Sequence, residues 1–278
     1  LATTYSVEHG VDAFARGTEK GNNTGVNITG LGTAVDSLLA VKELVYENGK
    51  GTSEKGKWGR MSLRELGGIL ARNWEGHEDL RRRMCHSKRK WGNNDAEANA
   101  LGDEIVRTYA GELNGRPNGR NGRFIANGHC ARQFIVLGRQ TGATPDGRLA
   151  GDELSKNISP APGADSEGVS ALVMGVTSLD SRLLPGDFPL DVMLHPSMVA
   201  GEKGLETMRT IVETYHARGG VQIHFNVVDP AELRAAQLHP EKYENLQVRV
   251  CGWNVRWNDL DRREQDAYLQ RLEAISME

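Results

Sequence analysis

Val221-Gln222-Ile223-His224-Phe225-Asn226-Val227-Val228 runs directly into Asp229-Pro230 and the segment Ala231–Leu238. His239-Pro240-Glu241-Lys242-Tyr243 follows, then Leu246–Val250 and the pentad Arg249-Val250-Cys251-Gly252-Trp253. The first run is rich in β-branched and aromatic residues and reads as a strand. Asp229-Pro230 then leads into the helical segment Ala231–Leu238. Leu246–Val250 reads as a second strand, Gly252 as a turn after it, and Leu260, Gln265 and Arg271 fall on a final helix. Upstream, Phe188–Leu194 reads as a strand ending at His195-Pro196, and Leu205–Ala217 as an amphipathic helix closed by Gly219-Gly220. Strands alternating with helices at this spacing predict an α/β fold.

The full chain has 278 residues, 34 Lys and Arg against 37 Asp and Glu, and a net charge of −3. That balance argues against a dedicated nucleic-acid or membrane-surface protein. The basic run Arg81-Arg82-Arg83 and Lys88-Arg89-Lys90 reads as a solvated helix end. No apolar run approaches the roughly 18 residues of a membrane span, and no signal peptide is recognisable. Cys85, Cys130 and Cys251 are odd in number and widely spaced, as expected in a reducing cytoplasm. A chain starting at Leu1 is expected to be part of a longer one.

Gly25–Gly32 is a glycine-rich stretch without a clear preceding strand, so its glycines read as turn and cap residues rather than a phosphate loop. A helix carrying Val35, Leu38, Leu39, Val41, Leu44 and Val45 follows, stopped at Asn48-Gly49. Further helices are expected around Leu63–Leu70, His77–Ser87 and Ala98–Tyr109, with Asp95 as a cap. Gly111–Arg123 reads as a mobile loop, Ala131–Leu137 as a buried strand and Val169–Leu179 as a helix. Thr141-Gly142-Ala143-Thr144-Pro145-Asp146-Gly147-Arg148 is a tight turn dictated by its Pro and Gly residues.

Taken alone, Gly252 is an ordinary turn glycine. Its context resembles the glycyl radical enzymes, the family of pyruvate formate-lyase. The shared order is strand, Asp-Pro, helix, His-Pro-x-x-Tyr, strand, R-V-x-G-aromatic, then Leu260, Gln265 and Arg271. The Gly142-Ala143-Thr144-Pro145-Asp146-Gly147-Arg148 turn with Gly151 and Ser159-Pro160, and Gly25–Leu31 with its Asp36-Ser37 helix, are two further points of likeness. Trp253 stands where relatives usually have Tyr or Phe, and Tyr268 where Ile or Val is common.

The resemblance implies the C-terminal part of a ten-stranded β/α barrel over residues 1–148. A glycine radical domain over 149–278 would bury a glycyl radical loop, followed by a terminal helix. It implies a backbone radical on Gly252, since only glycine flattens at Cα without strain. Arg249, Val250, Cys251 and Trp253 would support the loop, which would swing out near Glu244-Asn245. A separate S-adenosylmethionine iron–sulfur activase would install the radical, with no cofactor or metal bound to the chain itself. The radical would pass to a cysteine thiyl outside this chain, because none of the three cysteines lies in a matching motif, so the chain alone is expected not to turn over. In the full-length protein the resemblance implies a homodimer acting on a small organic substrate. Strand alternation would put Gln133 and Ile135 on the substrate side, suggesting addition of a hydrocarbon to fumarate. Arylacetate decarboxylation, dehydration or other lyase chemistry and formate acetyl transfer remain alternatives within the family. A stand-alone spare glycyl radical domain is the alternative of another class.

Overall fold

The computed structural model describes residues 4–12, 22–47, 61–250, 253–262, 264–266 and 268–269. The expected β-α-β unit forms: β3 (Pro189–Leu194) and β4 (Gln222–Val227) pair in parallel, from Pro189↔Gln222 to Leu194↔Val227. The helix Gly201–Ala217 joins them. It begins earlier than Leu205 and packs Ile211 and Tyr215 inward, with the Tyr215 hydroxyl donating to the Phe188 carbonyl at 3.3 Å. Pro230–Leu238 is helical with Asp229 as its cap, the side chain accepting from Ala231 N–H at 2.8 Å. β5 (Gln247–Val250) and β6 (Trp253–Arg256) then pair antiparallel, with Val250 opposite Trp253. Among the described residues the chain is thus α/β.

A third pair is absent from the sequence reading. β1 (Thr24–Asn27) runs parallel to β2 (Phe124–Asn127), in register from Thr24↔Phe124 to Asn27↔Asn127. The glycine-rich Gly25–Gly32 stretch therefore begins with a strand. Gly111–Arg123 is not one loop either. The helix Ala96–Leu113 runs into it, Asn118 Oδ1 accepts from Arg120 and Gly122 N–H, and Pro117 bridges to Arg123.

Ala131–Leu137 is not a strand. Gln133–Gln140 is a helix, and Phe134, Ile135 and Gly138 are its buried residues. That spacing is a helical stripe which short-range alternation mimics. Gly138 is required because a Cβ there would lie 2.4 Å from the Asp152 carbonyl oxygen.

The main core joins the two halves of the chain. Leu31, Val35 and Leu39 of the helix Leu31–Val41 pack with Trp91, Val106, Ile158, Val173, Leu190, Val192 and Tyr215. Trp91 is fully buried, and its indole N–H donates to the Ile158 carbonyl at 2.8 Å.

Candidate functional site

The Thr141–Arg148 turn is organised by its arginine. Arg148 donates to the carbonyls of Gly138, Thr141, Gly142, Asp152 and Glu153 at 2.7 to 3.2 Å. One planar guanidinium thereby gathers five carbonyls from both sides of the turn, which a lysine could not do. Gly147 has φ of 101°, and a Cβ there would meet Cys85 Sγ at 2.5 Å and the Arg81 carbonyl at 3.0 Å. Cys85 Sγ lies 3.5 Å from the Gly147 carbonyl oxygen, and burial pushes its thiol pKa up. It is a packing thiol.

Asp146 of the turn is buried together with two further ionisable residues, Asp36 and Lys90. Asp36 Oδ1 accepts from Trp91 N–H at 2.7 Å, and Lys90 Nζ donates to the Asp146 carbonyl at 3.2 Å. Burial pushes the Asp36 carboxyl up to about 7; Lys90 pulls it down, Asp146 pushes it up and Trp91 N–H pulls it down. The folded protein therefore holds a proton between about pH 4 and 7 that the unfolded chain has released. Stability from this site is complete below the unfolded value and falls as pH rises toward 7. Asp36→Asn mimics the protonated acid and keeps an acceptor for Trp91. Its melting temperature is expected to exceed the parent's by several degrees near pH 8, with the difference shrinking steadily as pH falls toward 4. Equal differences at both pH values would refute the assignment.

A second buried polar group ties the 154–159 segment to the β3–β4 pair. Asp191 of β3 lies opposite His224 of β4. Asn157 Nδ2 donates to Asp191 Oδ2 at 2.6 Å, Lys156 Nζ lies 3.1 Å from Oδ1, and Asp191 N–H donates to Ser159 Oγ at 2.9 Å. His224 Nδ1 lies 3.6 Å from Asp191 Oδ1, beyond hydrogen-bond distance. Burial works to raise the Asp191 carboxyl; Lys156 and then His224 outweigh it and hold it far below the usual carboxylate range. Cys130 hangs on the same group: its N–H donates to Asn157 Oδ1 at 3.0 Å, and its sulfur accepts from Asn157 N–H at 3.1 Å. Ala131 and Asn157 flank this contact in the left-handed region, at φ of 47° and 51°. Cys130 is fully buried and held by these bonds, which is a packing role.

The sequence reading missed this network. Its signal is Asp191, the one charged residue in an otherwise apolar strand.

Gly252 and Cys251 lie outside the described residues. Their neighbours Val250 and Trp253 are β-paired, and Arg249 stands opposite Asn254. The Arg249 Nε is buried without a hydrogen-bond partner among the described residues. Behind the hairpin Trp257 is fully buried among Leu233, Ala236, Val248, Tyr268 and Leu269. Trp257 N–H donates to the Leu246 carbonyl at 2.8 Å, and Gln265 Nε2 donates to the Trp257 carbonyl at 2.9 Å. The Trp257 and Tyr268 rings meet edge to face, centroids 5.8 Å apart. Trp257, Gln265 and Tyr268 thus give the hairpin a fixed base.

The helix at 133–140 separates the residues expected to line a substrate surface. Gln133 is exposed, whereas Ile135 is buried with Cys130, Phe134 and Leu154. They do not share a face.

Two family models cover most of the chain. The glycine radical model matches residues 154–258, including Arg249–Trp253, and the pyruvate formate lyase-like model matches residues 2–138. The chain belongs to the glycyl radical enzymes. A trans-4-hydroxy-L-proline dehydratase from Clostridioides difficile is 33% identical over 267 residues, 96% of this chain and 32% of that protein. An indoleacetate decarboxylase from Tractidigestivibacter scatoligenes is 32% identical, over 90% of this chain and 30% of its own length. The solved B12-independent glycerol dehydratase from Clostridium butyricum superposes with a TM-score of 0.85 at 30% identity, over 96% of this chain and 33% of that one. This glycyl radical family member therefore spans about a third of the length of the relatives it matches. Among the described residues no helix is long and apolar enough to cross a membrane.

Proposed function

We propose that Gly252 stores a backbone radical for bond-cleaving chemistry carried out by a longer enzyme of which this chain supplies about a third. The observation that carries this reading is the glycine radical match over residues 154–258. The β5–β6 hairpin backed by buried Trp257 supports it. An activase using S-adenosylmethionine and an iron–sulfur cluster takes one hydrogen atom from the Gly252 Cα. The radical then takes a hydrogen atom from a cysteine thiol, whose thiyl attacks substrate, and the atom returns at the end of the cycle. Cys85 and Cys130 are both engaged in packing, so the thiyl cysteine is assigned to the part of the enzyme beyond these two residues. The barrel reading belongs here too: residues 1–148 contribute parallel strands such as β1 and β2 to a larger barrel, and residues 149–278 form the radical domain.

For the reaction, dehydration or a related elimination is favoured over addition of a hydrocarbon to fumarate. Two of the three relatives described above are dehydratases, and the third is an arylacetate decarboxylase, which is the second reading. The Gln133–Ile135 argument for a hydrocarbon also loses its footing once those residues leave a common face.

Anaerobic incubation with activase and S-adenosylmethionine is expected to give a glycyl doublet in electron paramagnetic resonance. Gly252→Ala should abolish it while leaving the circular dichroism unchanged. No doublet from the parent chain under conditions that activate a related enzyme would refute the radical assignment.

A further inference from the structure

The hairpin has an apolar cluster of its own. Leu233, Ala236, Val248, Trp257, Tyr268 and Leu269 are buried together, apart from the main cluster around Trp91 and Tyr215. Among the described residues, polar contacts through Asp261, Glu264 and Tyr268 join this small core to the rest of the protein. The Tyr268 hydroxyl donates to Oδ1 of buried Asn226 on β4 at 3.0 Å. Arg132, just before the helix Gln133–Gln140, places Nη2 2.5 Å from Glu264 Oε1. Arg139, in the last turn of that helix, pairs with Asp261.

The two carboxylates are set in place by each other. Glu264 N–H donates to Asp261 Oδ1 at 2.9 Å, and Asp261 N–H donates to Glu264 Oε2 at 3.3 Å. This reciprocal box also puts negative charge at a helix start, where it is favourable. The stretch grips the hairpin through Gln265 and Trp257, as described above. Movement of 261–269 therefore moves the hairpin base with it.

We propose that Arg132, Arg139 and Tyr268 are positioning residues forming a two-part catch, which ties the apolar base of the β5–β6 hairpin to β4 and to the helix Gln133–Gln140 and frees it as a unit on release. The purpose of the catch rests on the reading of Gly252 as the radical site; its geometry does not. The outer part is electrostatic: the Arg139–Asp261 pair is half exposed and salt weakens it, whereas Arg132 binds a Glu264 carboxylate that is only 8% exposed and is screened less. The inner part is one buried hydrogen bond, insensitive to salt. An aliphatic side chain at 268 could fill the space but could not donate to Asn226.

Hydrogen–deuterium exchange of the full chain tests the catch. The comparison is between the parent, Tyr268→Phe, the double variant Arg132→Ala/Arg139→Ala, its Lys/Lys counterpart, and Arg182→Ala as an exposed control away from the hairpin. Exchange over 247–256 is expected to rise about tenfold in the first two variants, with peptides 31–41 and 189–194 unchanged. Salt at about 0.5 M should give part of the rise in the parent and add nothing in the Ala/Ala variant. The Lys/Lys variant should recover most of the protection, and Arg182→Ala should leave it intact. With activase, radical should accumulate faster in Tyr268→Phe. Unchanged exchange at 247–256, or an equal rise in the main-core peptides, would overturn the proposal. If Tyr268→Phe does not fold, the arginine and salt measurements decide it. A hairpin that responds while no radical ever forms would sink the reading of Gly252 and leave the catch standing.

Discussion

Asp191→Ala is expected to lower the unfolding free energy by about 3–5 kcal/mol, because it removes one partner of a buried ion pair. Lys156 then keeps an ammonium group whose side chain is only 9% exposed, with no carboxylate opposite it. Asn157 Nδ2 loses its acceptor, and Cys130, held by Asn157, loses part of its support. The effect should depend on pH with a definite sign. Asp191 titrates below its ordinary value when folded, so its stabilisation is present above about pH 4 and is lost as pH falls. The gap between parent and variant should therefore be widest at neutral pH and narrow below about pH 4. Asp191→Leu combined with Lys156→Met should recover much of the loss, since replacing both partners leaves no stranded charge. Urea unfolding of the single and double variants measures this. A single variant within about 1 kcal/mol of the parent would show that the pair is hydrated in solution.

The opposite slope at Asp36 makes the two acids separable. Asp36 is destabilising as pH rises through 7, and Asp191 is destabilising as pH falls through the carboxylate range. Two polar links cross between the matched segments beside these acids: Trp91, whose N–H Asp36 accepts, donates its indole N–H to the Ile158 carbonyl, and Cys130 N–H donates to Asn157, which holds Asp191. The pyruvate formate lyase-like and glycine radical segments are therefore coupled by polar as well as apolar contacts.

Much of the second half was legible because its signals are local. The β3 and β4 runs are apolar and flanked by turn residues, Asp229-Pro230 caps a helix by its own chemistry, and R-V-x-G sits in a long ordered context. What escaped depends on partners distant in sequence. Thr24-Gly25-Val26-Asn27 has little strand character, and it becomes one because Phe124–Asn127 lies alongside. Residues 133–140 were misread because alternate positions in a short apolar run fit both periods. The decisive constraint is Gly138 against Asp152, a contact that no local pattern displays. Asp36, Lys156 and Asp191 each look like ordinary polar residues until burial is known. Gly252 was found by motif, and what holds its hairpin, Tyr268 on Asn226 and two arginines on the 261–269 stretch, was not.

Trp257→Ala is expected to detach the hairpin from its base while the main core stays folded. The indole is fully buried, and truncating a buried Trp costs about 3–5 kcal/mol, with roughly 0.5–1.5 kcal/mol more for the lost edge-to-face contact with Tyr268. In a domain stabilised by about 5–15 kcal/mol such a loss could unfold everything if the core were continuous. Among the described residues the buried side chains form separate clusters. Trp257 belongs to the cluster of Leu233, Ala236, Val248, Tyr268 and Leu269, whereas Trp91 and Tyr215 anchor the other. The loss should therefore appear as local opening of about 246–269, with β3 and β4 still paired. Limited proteolysis read by mass spectrometry should show rapid new cleavage within 244–262, leaving a resistant product that contains residues 61–238. Trp257→Phe, which keeps a ring for Tyr268 and loses no hydrogen bond, since the indole N–H has no partner among the described residues, should stay mostly resistant. Cleavage of Trp257→Ala throughout the chain at one common rate would show that the hairpin cluster and the main core unfold as one unit, and the catch would then have nothing to release.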